Sequence, residues 1–245
     1  MQKKIYKSLF VFGLLTALVI GMAGCAQTET QTNSDSASKS GDDLPESALK
    51  ATEYNSPKNS VKLEWPNSNG EKYYVFYNSK DDFSTKLYIS DTTNNYITKL
   101  LPIAGTYYFW VWASDEFSWA FNESEAIKTS YTLSTFDNGG VSAPENFSIT
   151  PATTDDSNFT ITCNPVSIEN CDKTYYWFYY NRTDDPATAE YNILSEIPYK
   201  KSASFFEEGI KYYFWIKAAT DNGNSDAFKI SDFSKVYSCI PNPSN

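Results

Sequence analysis

The residues of this chain that could do chemistry are carboxylates and cysteines, because its 245 residues include no histidine. That lack excludes a Ser-His-Asp triad, a Cys-His pair and the commonest zinc ligands. Carboxylates alone can serve a glycosidase, but nothing in the sequence marks a paired acid and base. We therefore expect a protein that is not an enzyme and that carries no cofactor and no metal site.

Two acidic pairs, Asp81-Asp82 and Asp184-Asp185, lie at equivalent places in two similar stretches of the chain. A calcium ion needs about six converging oxygen ligands, and two neighbouring carboxylates provide too few. We expect both pairs to lie in solvated turns.

Four cysteines are present, and three of them, Cys163, Cys171 and Cys239, lie in the second half of the chain. In an oxidising compartment, Cys163 and Cys171 could form a disulfide that closes a short loop. Alternatively, Cys163 is a small buried apolar residue. The sequence leaves both interpretations open.

The fourth cysteine, Cys25, ends a segment with the features of an export signal. Lysines occur in the first seven residues, and an uncharged apolar run, Leu9–Ile20, follows. That run is shorter than the about 20 apolar residues of a membrane-spanning helix. The ending Met-Ala-Gly-Cys resembles a bacterial lipobox, which implies that residues 1–24 are a signal peptide and that Cys25 carries the lipid. The alternative is an ordinary secretory signal with a chance cysteine.

Residues 25–44 are rich in Ser, Thr, Gln and Asp and contain no aromatic residue. Such a segment cannot build a core, and we expect a disordered tether after the lipidated cysteine. The whole chain has 30 acidic and 20 basic residues, which argues against a nucleic-acid partner. The expected location is the bacterial cell envelope, anchored to a membrane through Cys25, with the outer membrane or cell surface favoured over the inner membrane.

The remainder of the chain contains an internal repeat. The stretch KYYVFYNSKDD (72–82) recurs as YYWFYYNRTDD (175–185), and GTYYFWVWASD (105–115) recurs as GIKYYFWIKAATD (209–221). Within each copy apolar residues alternate with a period of two, which is typical of an all-β sandwich. We predict two domains, 45–134 and 144–241, joined by a linker at 135–143 that contains two glycines and ends just before a proline.

At this level the chain resembles the fibronectin type III family, in which a core tryptophan, a tyrosine-rich third strand and a tyrosine corner recur. Trp65 matches the core tryptophan, although the second copy has Cys163 there. The corner pattern is matched in both copies, by Leu101 and Tyr107 and by Phe206 and Tyr212. The resemblance implies two tandem immunoglobulin-like sandwiches.

The same alternation predicts an aromatic stripe on the outer face of one sheet in each domain. If Tyr107 and Phe109 point inward, their neighbours point outward, and the same holds for the third strand. Lys217 interrupts the stripe in the second domain. The resulting candidate binding surface consists of Tyr74, Phe76, Tyr108, Trp110 and Trp112 in the first domain and Trp177, Tyr179, Tyr213 and Trp215 in the second.

Three interpretations of this stripe stay open. The rings could contact a protein or glycan partner, they could form an internal interface, or they could have no specific role. A loop after the sixth strand adds Phe117, Trp119 and Phe121. These either form an exposed tip or fold back over the end of the sandwich, the arrangement we favour.

The predicted function is non-catalytic binding, adhesion or scaffolding by a lipid-anchored envelope protein. The alternatives are a carbohydrate-binding accessory module and a structural spacer without a specific ligand.

Overall fold

The computed structural model describes residues 48–66, 72–221, 223 and 227–243. The predicted signal peptide (1–24) and tether (25–44), and with them Cys25, lie outside the described residues. In the described part, no helix is long and apolar enough to cross a membrane.

Seven strands make up the first domain: β1 (Lys50–Tyr54), β2 (Ser60–Glu64), β3 (Lys72–Asn78), β4 (Leu87–Thr92), β5 (Tyr96–Leu100), β6 (Gly105–Ser114) and β7 (Ile127–Leu133). They form one sheet of order β1-β2-β5 and a second of order β4-β3-β6-β7, and every pairing is antiparallel. The fourth strand thus pairs with β3 and not with β5, unlike the constant-type immunoglobulin arrangement.

Seven further strands repeat this arrangement in the second domain: β8 (Ser148–Thr150), β9 (Asn158–Thr162), β10 (Tyr175–Asn181), β11 (Glu190–Leu194), β12 (Tyr199–Ser202), β13 (Tyr212–Ala219) and β14 (Tyr237–Cys239). Their sheets have the orders β12-β9-β8 and β11-β10-β13-β14. Short 3₁₀ segments, at Phe83–Thr85, Glu123–Glu125, Pro186–Thr188 and Ala203–Phe205, complete the secondary structure that the described residues contain.

The fold class is therefore confirmed: the chain is all-β, with two tandem fibronectin type III-like sandwiches. Strands of the first domain occupy 50–133 and those of the second 148–239. The predicted limits of the domains and the linker remain predictions.

Each sandwich encloses its own apolar core, and the predicted inward residues line it. Tyr73, Val75 and Tyr77 of β3 meet Tyr107 and Phe109 of β6 in the first core. The corresponding residues of β13, Tyr212, Phe214, Ile216 and Ala218, lie in the second core. The alternation of side chains along a strand thus placed these residues correctly.

The tyrosine corner is complete in the first domain only. The Tyr107 hydroxyl donates a hydrogen bond to the Ile103 carbonyl oxygen (2.8 Å), the contact that defines this motif. Tyr212 occupies the equivalent place but makes no such bond to a described residue, and its ring lies beside Arg182, 5.9 Å from the guanidinium carbon. Matching residues therefore did not ensure matching hydrogen bonds.

The cores also differ where Trp65 is replaced by Cys163. Trp65 packs edge-on against Tyr73, with ring centroids 5.3 Å apart. In the second domain Cys163 is partly buried against the core, and Ile168 of the following loop is buried in it. A loop side chain thus supplies apolar volume in the domain that lacks the tryptophan.

The three cysteines of the second domain are free thiols in the structure, so the disulfide considered between Cys163 and Cys171 is absent. The Cys171 Sγ instead donates to the Lys173 carbonyl oxygen (2.8 Å). Burial raises the pKa of the Cys163 thiol to about 11 and does the same for Cys239. Both thiols are therefore held in the unreactive protonated form at neutral pH.

The two acidic pairs lie in turns, and one member of each caps a 3₁₀ segment. Asp82 accepts a hydrogen bond from the Ser84 amide (3.0 Å), and Asp185 accepts one from the Ala187 amide (3.0 Å). Asn78 and Asn181 brace the same turns through their amide groups, which donate to the Asp82 and Asp185 carbonyl oxygens. The repeat therefore extends to the polar contacts of this loop.

Candidate functional site

The predicted aromatic stripe of the first domain is on the outer face of its four-stranded sheet, as the alternation requires. Trp110 pairs with Phe76 across β3 and β6, and Trp112 pairs with Tyr74. These rings are not open to solvent, however, because Tyr74, Phe76 and Trp110 are buried. This burial does not support the interpretation of the stripe as an open contact surface for a partner in this domain, and the physical reason is the loop that follows β6.

That loop folds back over the outer sheet face, whereas we had favoured the end of the sandwich. Phe121 is stacked on Trp112, with ring centroids 4.3 Å apart and planes only 2° from parallel. It also contacts Phe76, at 5.2 Å between centroids. The four rings Tyr74, Phe76, Trp110 and Phe121 form a buried cluster outside the main core, with Tyr108 and Trp112 partly buried against it.

Polar contacts fasten the edge of this cluster. The Trp110 indole N–H donates to Glu123 Oε1 (3.0 Å), in the 3₁₀ segment after the loop. Lys128 forms ion pairs with Glu123 and Asp81. The Lys86 ammonium lies 4.0 Å from the Phe83 ring centroid, a cation–π contact. The loop is therefore anchored by charge at its end as well as by apolar packing.

Three large rings remain exposed above the cluster, and we call them the aromatic ridge: Tyr88, Phe117 and Trp119. Their exposed fractions are 38%, 41% and 60%. Phe117 lies 5.0 Å from Trp119 and 5.5 Å from Tyr88, centroid to centroid. Phe117 and Trp119 are recognisable in the sequence as loop residues, whereas Tyr88 is not, since a single tyrosine on β4 carries no distinguishing pattern.

The aromatic stripe of the second domain is also covered. Trp177, Tyr179 and Trp215 are buried, and Tyr213 is partly buried. Part of the cover is the segment between β13 and β14, which contributes Phe228, Ile230 and Phe233. The rest comes from outside the domain, namely Leu100 of β5 and Phe136 of the linker. Of the three interpretations left open by the sequence, the internal interface is the one that this burial supports.

The covering segment is held along β13 by serine side chains. The Ser231 and Ser234 hydroxyls accept hydrogen bonds from the backbone amides of Ala218 (2.9 Å) and Ile216 (3.1 Å). The Ser231 and Ser234 amides donate in return to the carbonyl oxygens of the same two residues. Backbone groups at the end of β13 are thereby satisfied before β14 begins.

Lys217, which interrupts the stripe, joins the two domains. It is buried, and its ammonium donates a hydrogen bond to the Pro102 carbonyl oxygen of the first domain (2.6 Å). The ammonium also lies 3.6 Å from the Phe136 ring centroid and 4.2 Å from that of Phe233. Burial lowers its pKa to about 7, while the charge of Asp232 acts in the opposite direction.

The linker is fastened to both domains. Asn59 of the first domain accepts from the Asp137 amide (2.7 Å) and donates to the Asp137 carbonyl oxygen (2.8 Å). Asn138 donates to Asp232 of the second domain (2.8 Å). Gly139 has a φ of +61°, and a Cβ there would lie 2.9 Å from the Lys229 side chain, so this position needs glycine. The pair of domains is therefore constrained along its whole junction.

Among the described residues, no group of three or more His, Cys, Asp or Glu side chains is placed to hold a metal ion. What the site can do chemically is bind through rings, hydroxyls and a few lysines.

Comparison with known proteins adds a distant likeness. No family model and no curated protein sequence matches this chain. Among solved structures it is similar to the FN1–FN3 domains of chicken CNTN1, with 13% sequence identity, a TM-score of 0.32, and coverage of 80% of this chain and 67% of that chain. The fold assignment therefore depends on the strand order and the core residues described above.

Proposed function

We propose that this protein is a non-catalytic binding or scaffolding protein of the bacterial envelope, lipid-anchored through Cys25. Its two fibronectin type III-like domains act as one stiff unit, and the outer membrane or cell surface is the expected location. The proposal is supported chiefly by the buried junction between the domains, where Lys217 bonds to Pro102 and the second aromatic stripe is covered. A stiff pair presents its outer surfaces in a constant orientation, which suits adhesion or scaffolding.

The anchor is tested by metabolic labelling with an alkyne analogue of palmitate. We expect the natural chain to take up the label and Cys25→Ala to lose it, while Cys171→Ala keeps it. Label that persists in Cys25→Ala, or no label on the natural chain, would contradict the lipid anchor without bearing on the binding role.

The binding role is assigned to the aromatic ridge, because Tyr88, Phe117 and Trp119 are the large adjacent rings that stay exposed in the first domain. Tryptophan and tyrosine are frequent energetic hot spots of interfaces. The buried stripe residues of the first domain do not support this role, since their rings already contact other rings of the same domain.

A carbohydrate-binding accessory role is the second candidate, and the ridge favours it, since exposed rings can stack on sugars. Affinity electrophoresis of the purified chain in gels containing soluble polysaccharides separates the two candidates. Retardation that Trp119→Ala abolishes, and that exposed Val236→Ala leaves intact, would favour the glycan. If no polysaccharide retards the chain, a protein partner is the better interpretation of the ridge.

A further inference from the structure

A cavity of about 330 Å³ lies between the two domains, apart from the aromatic ridge. The first domain contributes Tyr77, Thr98 and Lys99 to its wall, and the second contributes Trp177, Tyr179 and Tyr191. The volume is at the lower end of the range for small-molecule sites, about 300–1,000 Å³. The wall combines rings, hydroxyls and one ammonium group, so it is neither purely apolar nor purely charged.

The ammonium belongs to Lys99, and it has no carboxylate or hydrogen-bond acceptor among the described residues. Its nearest recorded contact is the Tyr77 ring, whose centroid is 4.6 Å away. Lys99 is partly buried as a whole side chain, yet protein surrounds its ammonium closely enough that burial lowers the pKa to about 8. The partial burial of Lys99 and its lowered pKa both fit an ammonium group on a cavity wall. Solvent reaches such a group from one side only.

Lys217 provides the comparison within the same junction. Its ammonium has the Pro102 carbonyl oxygen as an acceptor and two phenylalanine rings around it. Lys99 has one ring and no acceptor. Because a desolvated charge without a hydrogen-bond partner is costly, the cavity at Lys99 offers a place where an anionic group would be stabilised.

The rest of the wall suits a ring-shaped ligand with hydroxyl groups. Trp177 and Tyr191 stack on one another, with centroids 4.7 Å apart and planes 18° from parallel, and Tyr191 keeps 45% of its surface exposed. The hydroxyls of Tyr77 and Tyr179 make no hydrogen bond to any residue that the structure describes. These two phenols and Thr98 can therefore donate to, or accept from, a polar ligand.

Nearby carboxylates restrict the charge that the ligand can carry. Asp185 and Glu190 lie close enough that their charges, together with burial, raise the pKa of Tyr77. Asp185 is engaged by the Ser79 hydroxyl (2.9 Å), and Glu190 accepts from Tyr180 (2.8 Å). Their negative field disfavours a doubly charged group such as phosphate and is compatible with a single carboxylate.

We propose that this cavity binds an acidic sugar of the uronic acid type, with its carboxylate at the Lys99 ammonium. One face of the sugar ring packs against the exposed Tyr191 ring, which Trp177 supports from behind, and its hydroxyls reach Tyr77, Tyr179 and Thr98. This site goes beyond the proposed function, since it is distinct from the ridge and either one can fail without the other.

The test is isothermal titration of the full-length chain, purified in detergent, with galacturonate and with glucuronate. We expect saturable binding of at least one uronate, and binding of galactose and glucose that is about tenfold weaker or more, because a charged hydrogen bond contributes about that factor. Lys99→Met should weaken uronate binding by about tenfold or more. The matched control Lys50→Met, on an exposed residue of β1, should leave it unchanged.

A second variant guards against a folding artefact. Tyr191→Ser removes a ring that lies outside the apolar cores and is 45% exposed, and it should weaken uronate binding while the circular dichroism spectrum stays as in the natural chain. The proposal is overturned if neither uronate binds, if Lys99→Met binds as tightly as the natural chain, or if the neutral sugars bind equally well. Benzoate is titrated as well, because it carries a carboxylate and a ring but no hydroxyl groups. Binding of benzoate without binding of either uronate would overturn the assignment to a sugar.

Discussion

The outer aromatic face of the first domain is covered by a loop of the same domain, whereas the matching face of the second domain is covered partly by the first. In the first domain Phe121 stacks on Trp112 and closes a small second core. In the second domain the segment around Phe233 leaves room for Leu100 and Phe136. The same stripe of rings therefore serves the internal stability of one domain and the joining of two.

An aromatic stripe in a sequence therefore specifies a sheet face that must be covered, but not which segment covers it. Burial of each large ring stabilises the protein by an amount that depends on the area removed from water. That stabilisation is the same in kind whether the covering atoms come from a loop, another domain or a partner. Substitutions can disrupt the packing under each of the two covers separately.

The largest effect is expected for Trp110→Ala. Trp110 is fully buried and its indole N–H donates to Glu123, so its truncation leaves a cavity and removes one of the two hydrogen bonds that Glu123 accepts from Trp110 and Lys128. We expect the free energy of unfolding of the first domain to fall by about 4–5 kcal/mol, measured by urea denaturation. Trp119→Ala, on the exposed ridge, is the matched control and should change it by about 0.5 kcal/mol or less. Equal losses in the two variants would contradict the covered face.

Trp215→Ala should have a smaller but qualitatively different effect. The Trp215 ring lies in the buried cluster at the domain junction, outside the core of its own domain. We expect a loss of about 3 kcal/mol and, in calorimetry, the replacement of one cooperative transition by two. A single transition in the variant, shifted as a whole, would mean that the junction does not couple the domains.

Lys217 should make the junction sensitive to pH. Its folded pKa is about 7, below the ordinary value of 10.5, so between these values the unfolded chain binds more protons than the folded chain. Stability from this group therefore rises as the pH increases through that window, and it is lowest below about pH 7. Between about pH 6.5 and about pH 9.5 the gain is on the order of 3 kcal/mol.

The measurement is the urea midpoint at the two pH values, for the natural chain and for Lys217→Met. The variant should lack most of this rise. Lys99 adds a rise of the same sign above about pH 8, but it is present in both proteins and cancels in the comparison. The exposed Lys235→Met should behave as the natural chain does, and an identical rise in Lys217→Met would refute the assignment.

The smallest change in the free energy of unfolding is expected at the tyrosine corners. Tyr107→Phe removes the donor to the Ile103 carbonyl oxygen and should lower the free energy of unfolding by about 1–1.5 kcal/mol. Tyr212→Phe should cost less, because its hydroxyl makes no bond to a backbone carbonyl oxygen of a described residue and interacts instead with the exposed Arg182 side chain. Thermal unfolding followed by circular dichroism measures both, and a larger loss for Tyr212→Phe would show that the second corner is closed in another way.

Much of the fold could be predicted because strand patterns are local. The alternation along 105–115 placed Tyr107 and Phe109 inward and Trp110 outward, and the structure agrees. The candidate site could be predicted only in part. Trp112 is covered by Phe121 and Trp215 contacts Phe233, and no rule of spacing relates these pairs.

Lys217 illustrates the same limit. In the sequence it is a charge that interrupts an apolar stripe, and the ordinary expectation is a solvated surface lysine. Its burial became evident only with the Pro102 carbonyl oxygen and the Phe136 ring in place. Similarly, Lys99 is an unremarkable residue of an edge strand until the second domain closes the cavity beside it.

The all-β class and the side chains that share a face are evident in the sequence, because they follow from a period of two. The presence of two similar sandwiches is evident as well, because it follows from the internal repeat. Only the tertiary structure decided what covers each aromatic face, which lysine finds an acceptor and where a cavity opens. Those outcomes depend on contacts between segments far apart in the chain, and such contacts leave no regular spacing in the sequence.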